Sequence, residues 1–296
     1  MPGDRFYAVV IETIRVTMPG TTTEGSSARL MEGTIPAGLL SAVREQRPLI
    51  HHITNSVTIN DCANITISTG AAPVMAEAPE EVADMVAAAG ALVLNIGTLS
   101  ATQVEAMLAA GRRANDLGIP VVLDPVGAGA TAFRTATVGR LLDALDIAVL
   151  KGNAGEIGVL AGTGGSVRGV DSGGIAGDPV ETARACARVT GTVVSMTGAV
   201  DVVTDGSRVY LVRNGNPMMD RLSGTGCMAA SVTAAFVAVA EDHAVASAAA
   251  LAAFGRAGER AAGGARGPYS FRTGLFDELA SLSPDDLARY ARIEER

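Results

Sequence analysis

From Ile35 onward the chain alternates between short β-branched runs and alanine-rich segments. The runs LIHHIT, APVMAE, ALVLNI, IPVVLDPV, IAVLKGN and TVVSMTG are each bounded by Gly, Pro, Asn or Asp, as strands are. Between them PEEVADMVAAAG, TQVEAMLAAGRRANDLG and DPVETARACARVTG carry helical periodicity and end in glycine. This alternation leaves few solutions, because parallel strands need crossovers and helical crossovers cover both faces of the sheet. The expected fold class is α/β, a mainly parallel central sheet with helices on both faces. DVVTDGSRVYLVRNG reads as a hairpin through an Asp205-Gly206 turn, and helices beginning near Gly224 and His243 close the domain.

At 296 residues and 48% hydrophobic, the chain can bury one large core, and residues 34–296 are expected to form a single domain. Residues 1–33 are different in kind: small and polar residues such as TTTEGSSA lie between Met18 and Met31, which predicts a flexible extension or a start placed too far upstream. The glycine-rich stretch 161–179 reads as a mobile loop or a lid. The longest apolar stretch, 226–240, is too short to span a bilayer and is ended by Glu241 and Asp242. Asp4, Glu12 and Arg15 interrupt the N-terminal apolar residues, which is wrong for a secretory signal. A formal net charge of −8 with no basic stripe argues against nucleic acid. The three cysteines are far apart with no CxxC pair, so neither a disulfide framework nor a zinc site is expected, and the expected compartment is the cytoplasm.

In parallel sheets ligands bind at the carboxyl ends of strands. That rule selects Asn55, Met75, Asn95 with Gly97, Asp124, Lys151 with Asn153, and Thr197. The turn GTGC, residues 224–227, opens a helix, where unpaired backbone N–H groups and the helix dipole invite an anion. Gly224, Gly226 and the amides after them can cradle a phosphate, and a thiol there is expected to have its pKa pulled down. The same residues are compatible with an ordinary glycine turn in which Cys227 is a small buried hydrophobe. In LDPVGAGATAFRT, Asp124 at a strand end suits a hydrated magnesium ion. A competing reading takes Gly127, Gly129 and Ala132 as a dinucleotide turn with Asp146 on the ribose. KGNAGE pairs Lys151, the only lysine in the chain, with Glu156, as a polyphosphate and its metal would require; a capping box between Asn153 and Glu156 explains the same residues. His51 and His52 lack a third metal ligand nearby and read as structural.

Taken in order, PLIHHITNSVTINDCANITISTGAAPVMAEAPEEVADM, ALVLNIGTLS, VVLDPVGAGATAFRT, KGNAGEI, RGVDS, TGAVDVVTDG and LSGTGCMAA resemble the hydroxyethylthiazole kinases of thiamine salvage, over roughly residues 35 to 285. The resemblance implies a ribokinase-like fold and transfer of the γ-phosphoryl of ATP, with magnesium, to the primary alcohol of 4-methyl-5-(2-hydroxyethyl)thiazole. It implies that Met75 and Gly224 contact the thiazole with Asn55, Val57 and Gly97 around it. It places Lys151 and Thr197 on ATP, Asp124 and Glu156 on magnesium, and Cys227 where related sugar kinases carry an aspartate base. It further implies a homotrimer with the thiazole site between subunits. The chain departs from the family pattern at Lys151, where arginine is expected, and at Tyr269, where glycine is expected; lysine keeps the charge and loses the bidentate fork. Three rivals are a pyrimidine kinase or metabolite-repair dehydratase of the same superfamily, an acyl-transfer enzyme with Cys227 as covalent nucleophile, and a nucleotide-binding regulator.

Overall fold

The computed structural model describes residues 29–163, 167–168, 171–172, 175 and 177–296. The expected extension over 1–33 therefore falls largely outside the described residues, as does part of the expected lid over 161–179.

The elements follow the alternation. In chain order they are β1 (Arg29–Leu30), α1 (Thr34–Gln46), β2 (Leu49–Ile53), α2 (Ile59–Thr69), β3 (Ala72–Val74), α3 (Val82–Ala87), β4 (Ala91–Asn95) and α4 (Ala101–Asp116). Then come β5 (Val121–Asp124), α5 (Ala132–Ala144), β6 (Val149–Asn153), α6 (Ala154–Leu160), the two-residue strands β7 (Val167–Arg168) and β8 (Asp171–Ser172), α7 (Pro179–Thr190) and β9 (Val193–Thr197). The chain closes with β10 (Asp201–Thr204), β11 (Val209–Val212), a 3-10 turn over Pro217–Arg221, α8 (Thr225–Val237), α9 (His243–Gly264), α10 (Pro268–Ser281), α11 (Pro284–Tyr290) and β12 (Ile293–Glu295). Local chemistry sets several boundaries. Ser100, Thr131 and Asp178 each accept an amide hydrogen bond as helix N-caps, and Gly191, in the left-handed region, ends α7.

Ten strands form one sheet in the order β1-β12-β11-β10-β9-β6-β5-β4-β2-β3. The strands β3, β2, β4, β5, β6 and β9 run parallel, while β10, β11, β12 and β1 pair antiparallel at one edge. Side chains alternate between two cores, as the pleat requires. Val122 and Val149 pack toward α1, α2, α8 and α9, and Leu123 and Leu150 toward α4, α5 and α6. Every residue of α8 from 228 to 237 is buried, so this helix runs through the interior and delivers only its first turn to the sheet's carboxyl edge. Register places Asn95 beside Asp124 and Asn153 beside Thr197 along that edge.

Candidate active site

Four strand ends and one helix start bring the polar residues together. Just past β2, the Asn55 carboxamide oxygen accepts from the amides of Val57 (3.1 Å) and Thr58 (3.0 Å) and from the Thr58 hydroxyl (3.1 Å). Its Nδ2 donates to Asn95 Oδ1 at 3.0 Å and to Cys227 Sγ at 3.3 Å. At the end of β4, Asn95 Nδ2 donates to Asp124 Oδ2 at 2.7 Å and to Cys227 Sγ at 3.3 Å. The other oxygen of Asp124 lies 3.6 Å from Lys151 Nζ, and both side chains of this ion pair are almost fully buried. Lys151 in turn reaches the start of α8, since a Cβ on Gly226 would stand 3.0 Å from its Nζ.

Glu156 lies beside this cluster. The capping box with Asn153 is formed, and its oxygens accept from the amides of Gly127 and Asn153, each at 2.8 Å. Burial first, and the Asp124 carboxylate second, push the Glu156 carboxyl up to about 7. Burial also pushes Asp124 up, against the pull of Lys151 and Asn95. For Lys151, burial alone would pull the ammonium down, but Asp124 and Glu156 together hold it above its ordinary value, so it is charged at neutral pH. Two desolvated, mutually repelling carboxylates are hard oxygen donors suited to a divalent cation. No group of three His, Cys, Asp or Glu side chains that could hold a metal ion occurs among the described residues. A cation here would therefore take its remaining ligands from water or from a bound phosphate, as magnesium does.

The thiol corrects the sequence expectation. Helix position predicts a depressed pKa for Cys227, but burial, and after it the Asp124 carboxylate, push the thiol up, outweighing Lys151 and the hydroxyl and amide donors. A half-buried sulfur beside a carboxylate is a thiol at neutral pH. No histidine among the described residues bonds to it: His52, pulled down to about 4 mainly by burial, meets Ser231 and the Ile50 carbonyl, and His51 meets the Ala76 carbonyl. A covalent nucleophile there would lack its base.

The remaining candidates flank the cluster. The Gly97 amide donates to Asn95 Oδ1 at 2.9 Å, and a Cβ on Gly97 would collide with Asn55. Gly224 caps α8 with a φ of +90°. Met75 is half-buried and Val57 is 70% exposed, so this wall of the site is open. Thr197 bonds the Gly152 carbonyl at 3.4 Å on the other side. The dinucleotide reading finds no support, because Gly127 and Gly129 donate to Glu156 and Thr135, and Asp146 is tied to Asn115 ahead of β6, at the opposite edge of the sheet.

Three residues that sequence reasoning left without a role belong to this edge. Asn95 is the hub described above. Arg134 donates to the carbonyls of Ile96 (2.8 Å), Val126 (2.7 Å) and Gly97 (2.8 Å), tying together the ends of β4 and β5; its place inside LDPVGAGATAFRT was the available signal. Asp201 accepts from the Gly198 amide at 3.0 Å and is pushed up to about 7 by burial.

The hydroxyethylthiazole kinase family model matches residues 40–285. A hydroxyethylthiazole kinase from Methanoculleus marisnigri is 86% identical over 279 residues, covering 94% of this chain and 100% of its own. The solved structure of a hydroxyethylthiazole kinase from Pyrococcus horikoshii OT3 superposes with a TM-score of 0.80 at 41% identity, covering 88% of this chain and 98% of that one. A ribokinase-like superfamily protein from Enterococcus faecalis V583 shares the fold, with a TM-score of 0.62 at 14% identity over 90% of this chain and 100% of its own.

Proposed function

The chain belongs to the hydroxyethylthiazole kinase family, and on that premise we propose that it transfers the γ-phosphoryl group of ATP to the primary alcohol of 4-methyl-5-(2-hydroxyethyl)thiazole, in thiamine salvage. The observation that carries this reading is the contact chain Lys151–Asp124–Asn95–Cys227 at the first turn of α8. It puts a buried cation, a buried carboxylate and a thiol at the start of a helix, where the first amides have no partner within the helix.

Phosphoryl transfer asks for alignment and charge neutralisation rather than covalent catalysis by the protein. The amides that follow Gly224 and Gly226 face the transferring group, and Lys151 faces the polyphosphate. Asp124 and Glu156 would hold magnesium, which would supply positive charge to a bound polyphosphate. Thr197 lies on the nucleotide side. Met75, Gly224, Asn55, Val57 and Gly97 surround the thiazole. Cys227 meets the substrate hydroxyl. Because its thiol is protonated at rest, its first task is to hold that hydroxyl in line, with proton release late in a loose transition state.

The open wall supports a homotrimer with the thiazole site between subunits. Val57, Ile67 on α2 and Tyr269 on α10 are exposed apolar groups on neighbouring elements, and a second copy would cover them. No helix among the described residues is long and apolar enough to cross a membrane, and a cytoplasmic enzyme is the proposed setting. The reading is tested by Asp124→Asn. Thiazole phosphate formation should become at least ~10²-fold slower in kcat with melting temperature retained, since the variant loses a metal ligand's charge. A fully active Asp124→Asn enzyme would remove the metal role.

A further inference from the structure

The side chain that joins the Asp124 carboxylate to the Cys227 sulfur is one to which the proposed reaction assigns no task. A carboxamide offers two N–H donors and two lone pairs on oxygen. Asn95 uses all four: Nδ2 donates to Asp124 Oδ2 (2.7 Å) and Cys227 Sγ (3.3 Å), and Oδ1 accepts from Asn55 Nδ2 (3.0 Å) and the Gly97 amide (2.9 Å). The residue is 1% exposed, so water cannot stand in for any of these partners. Its orientation is single-valued. A flipped amide would set oxygen against the Asp124 carboxylate and nitrogen against the Gly97 N–H and the Asn55 NH2, losing the bonds to all three. The amide is also planar, so its two donors fix the angle between sulfur and carboxylate as seen from β4.

We propose that Asn95 is a positioning residue of the phosphoryl transfer, locking the Cys227 sulfur and the Asp124 carboxylate into one geometry and joining both, through Asn55 and Gly97, to the wall that takes the alcohol. The proposal rests on the kinase reading for its chemistry. Its structural content, that Asn95 governs the setting of the thiol, does not depend on that reading. An amide that merely finished β4 would need its partners for folding and would leave the reacting groups indifferent to their polarity.

Asn95→Asp separates the two cases, because it keeps the size and the acceptor side while removing at least one of the two donors and setting a second buried carboxyl beside Asp124 and the thiol. Expected are a kcat lower by about 10²-fold with both KM values within about threefold, and iodoacetamide alkylation of Cys227 at fixed pH slower by about tenfold. Peptide mass spectrometry separates Cys227 from Cys62 and Cys186, both buried and pushed up to about 12. Should Asn95→Asp fail to fold, Asn95→Ser carries the test: its kcat loss should shrink when Cys227 is already alanine, because part of what Asn95 positions is then gone. Unchanged kcat or unchanged alkylation in a folded Asn95→Asp protein overturns the proposal, as do losses that simply multiply in the double variant. If the wild-type chain leaves ATP and the alcohol unconverted, the kinase reading falls, and the alkylation rates still decide whether Asn95 governs the thiol.

Discussion

Glu156 has two roles in the fold: it caps α6 through its bond to the Asn153 amide, and it faces Asp124 in the site. The first role was legible in KGNAGE; the second depends on β5 and β6 lying side by side and so was carried by the resemblance. The same holds for Cys227. Its place at a helix start could be read from GTGC, but its raised pKa comes from burial and from a carboxylate 103 positions earlier in the chain (227 less 124), which no local pattern shows. The Glu156 shift has a measurable consequence. The carboxyl titrates near 4.5 ordinarily and near 7 in the fold. Between those values the folded chain holds a proton that the unfolded chain has lost. This contribution to stability is therefore full below about pH 4.5, falls as pH rises to about 7, and is flat above. Without metal or nucleotide, wild type should lose about 2–3 kcal/mol more than Glu156→Gln between pH 5 and pH 8 in urea unfolding. Parallel curves would contradict the burial argument.

At the scale of elements, the alternation of runs sufficed for the parallel strands and for α3, α4 and α7, whose apolar positions show their period, but not for the helices α1, α2 and α5. It did not reveal β1, β7, β8 or β12, which are two or three residues long and are defined by their partners, as Arg29 and Leu30 are by Glu295 and Glu294. The element with most to test is α8. Gly224 has a φ of +90° with Thr58 Cγ2 only 2.5 Å from where a Cβ would sit, and Gly226 leaves room for the Lys151 ammonium. If the helix-start amides and that ammonium stabilise the transferring phosphoryl, crowding them is worse than deleting the thiol. Losing one such donor costs about 3–4 kcal/mol, whereas a base acting late contributes nearer 10²-fold. Gly226→Val should therefore be nearly inactive while still folded by circular dichroism, and Cys227→Ala should keep measurable kcat. The reverse order would move the chemistry from the amides to the thiol.

At the scale of the whole molecule, a parallel sheet brings the ends of β2, β4, β5, β6 and β9 to one edge, and α8 passes through the core to meet them there. Residues from Asn55 to Cys227 thus form one site although no two of its main segments are neighbours in sequence. The strand-end rule located that edge from sequence. It selects Asn95 without marking it as the hub, because the saturation of Asn95 is a property of four partners converging. The most direct measurement is ATP consumption by the purified chain with magnesium, with and without 4-methyl-5-(2-hydroxyethyl)thiazole, the product identified by mass. ADP and the thiazole phosphate should form one for one and only when the alcohol is present. ATP hydrolysis independent of the alcohol, or no consumption with it, would contradict the assignment of this edge to phosphoryl transfer onto that hydroxyl.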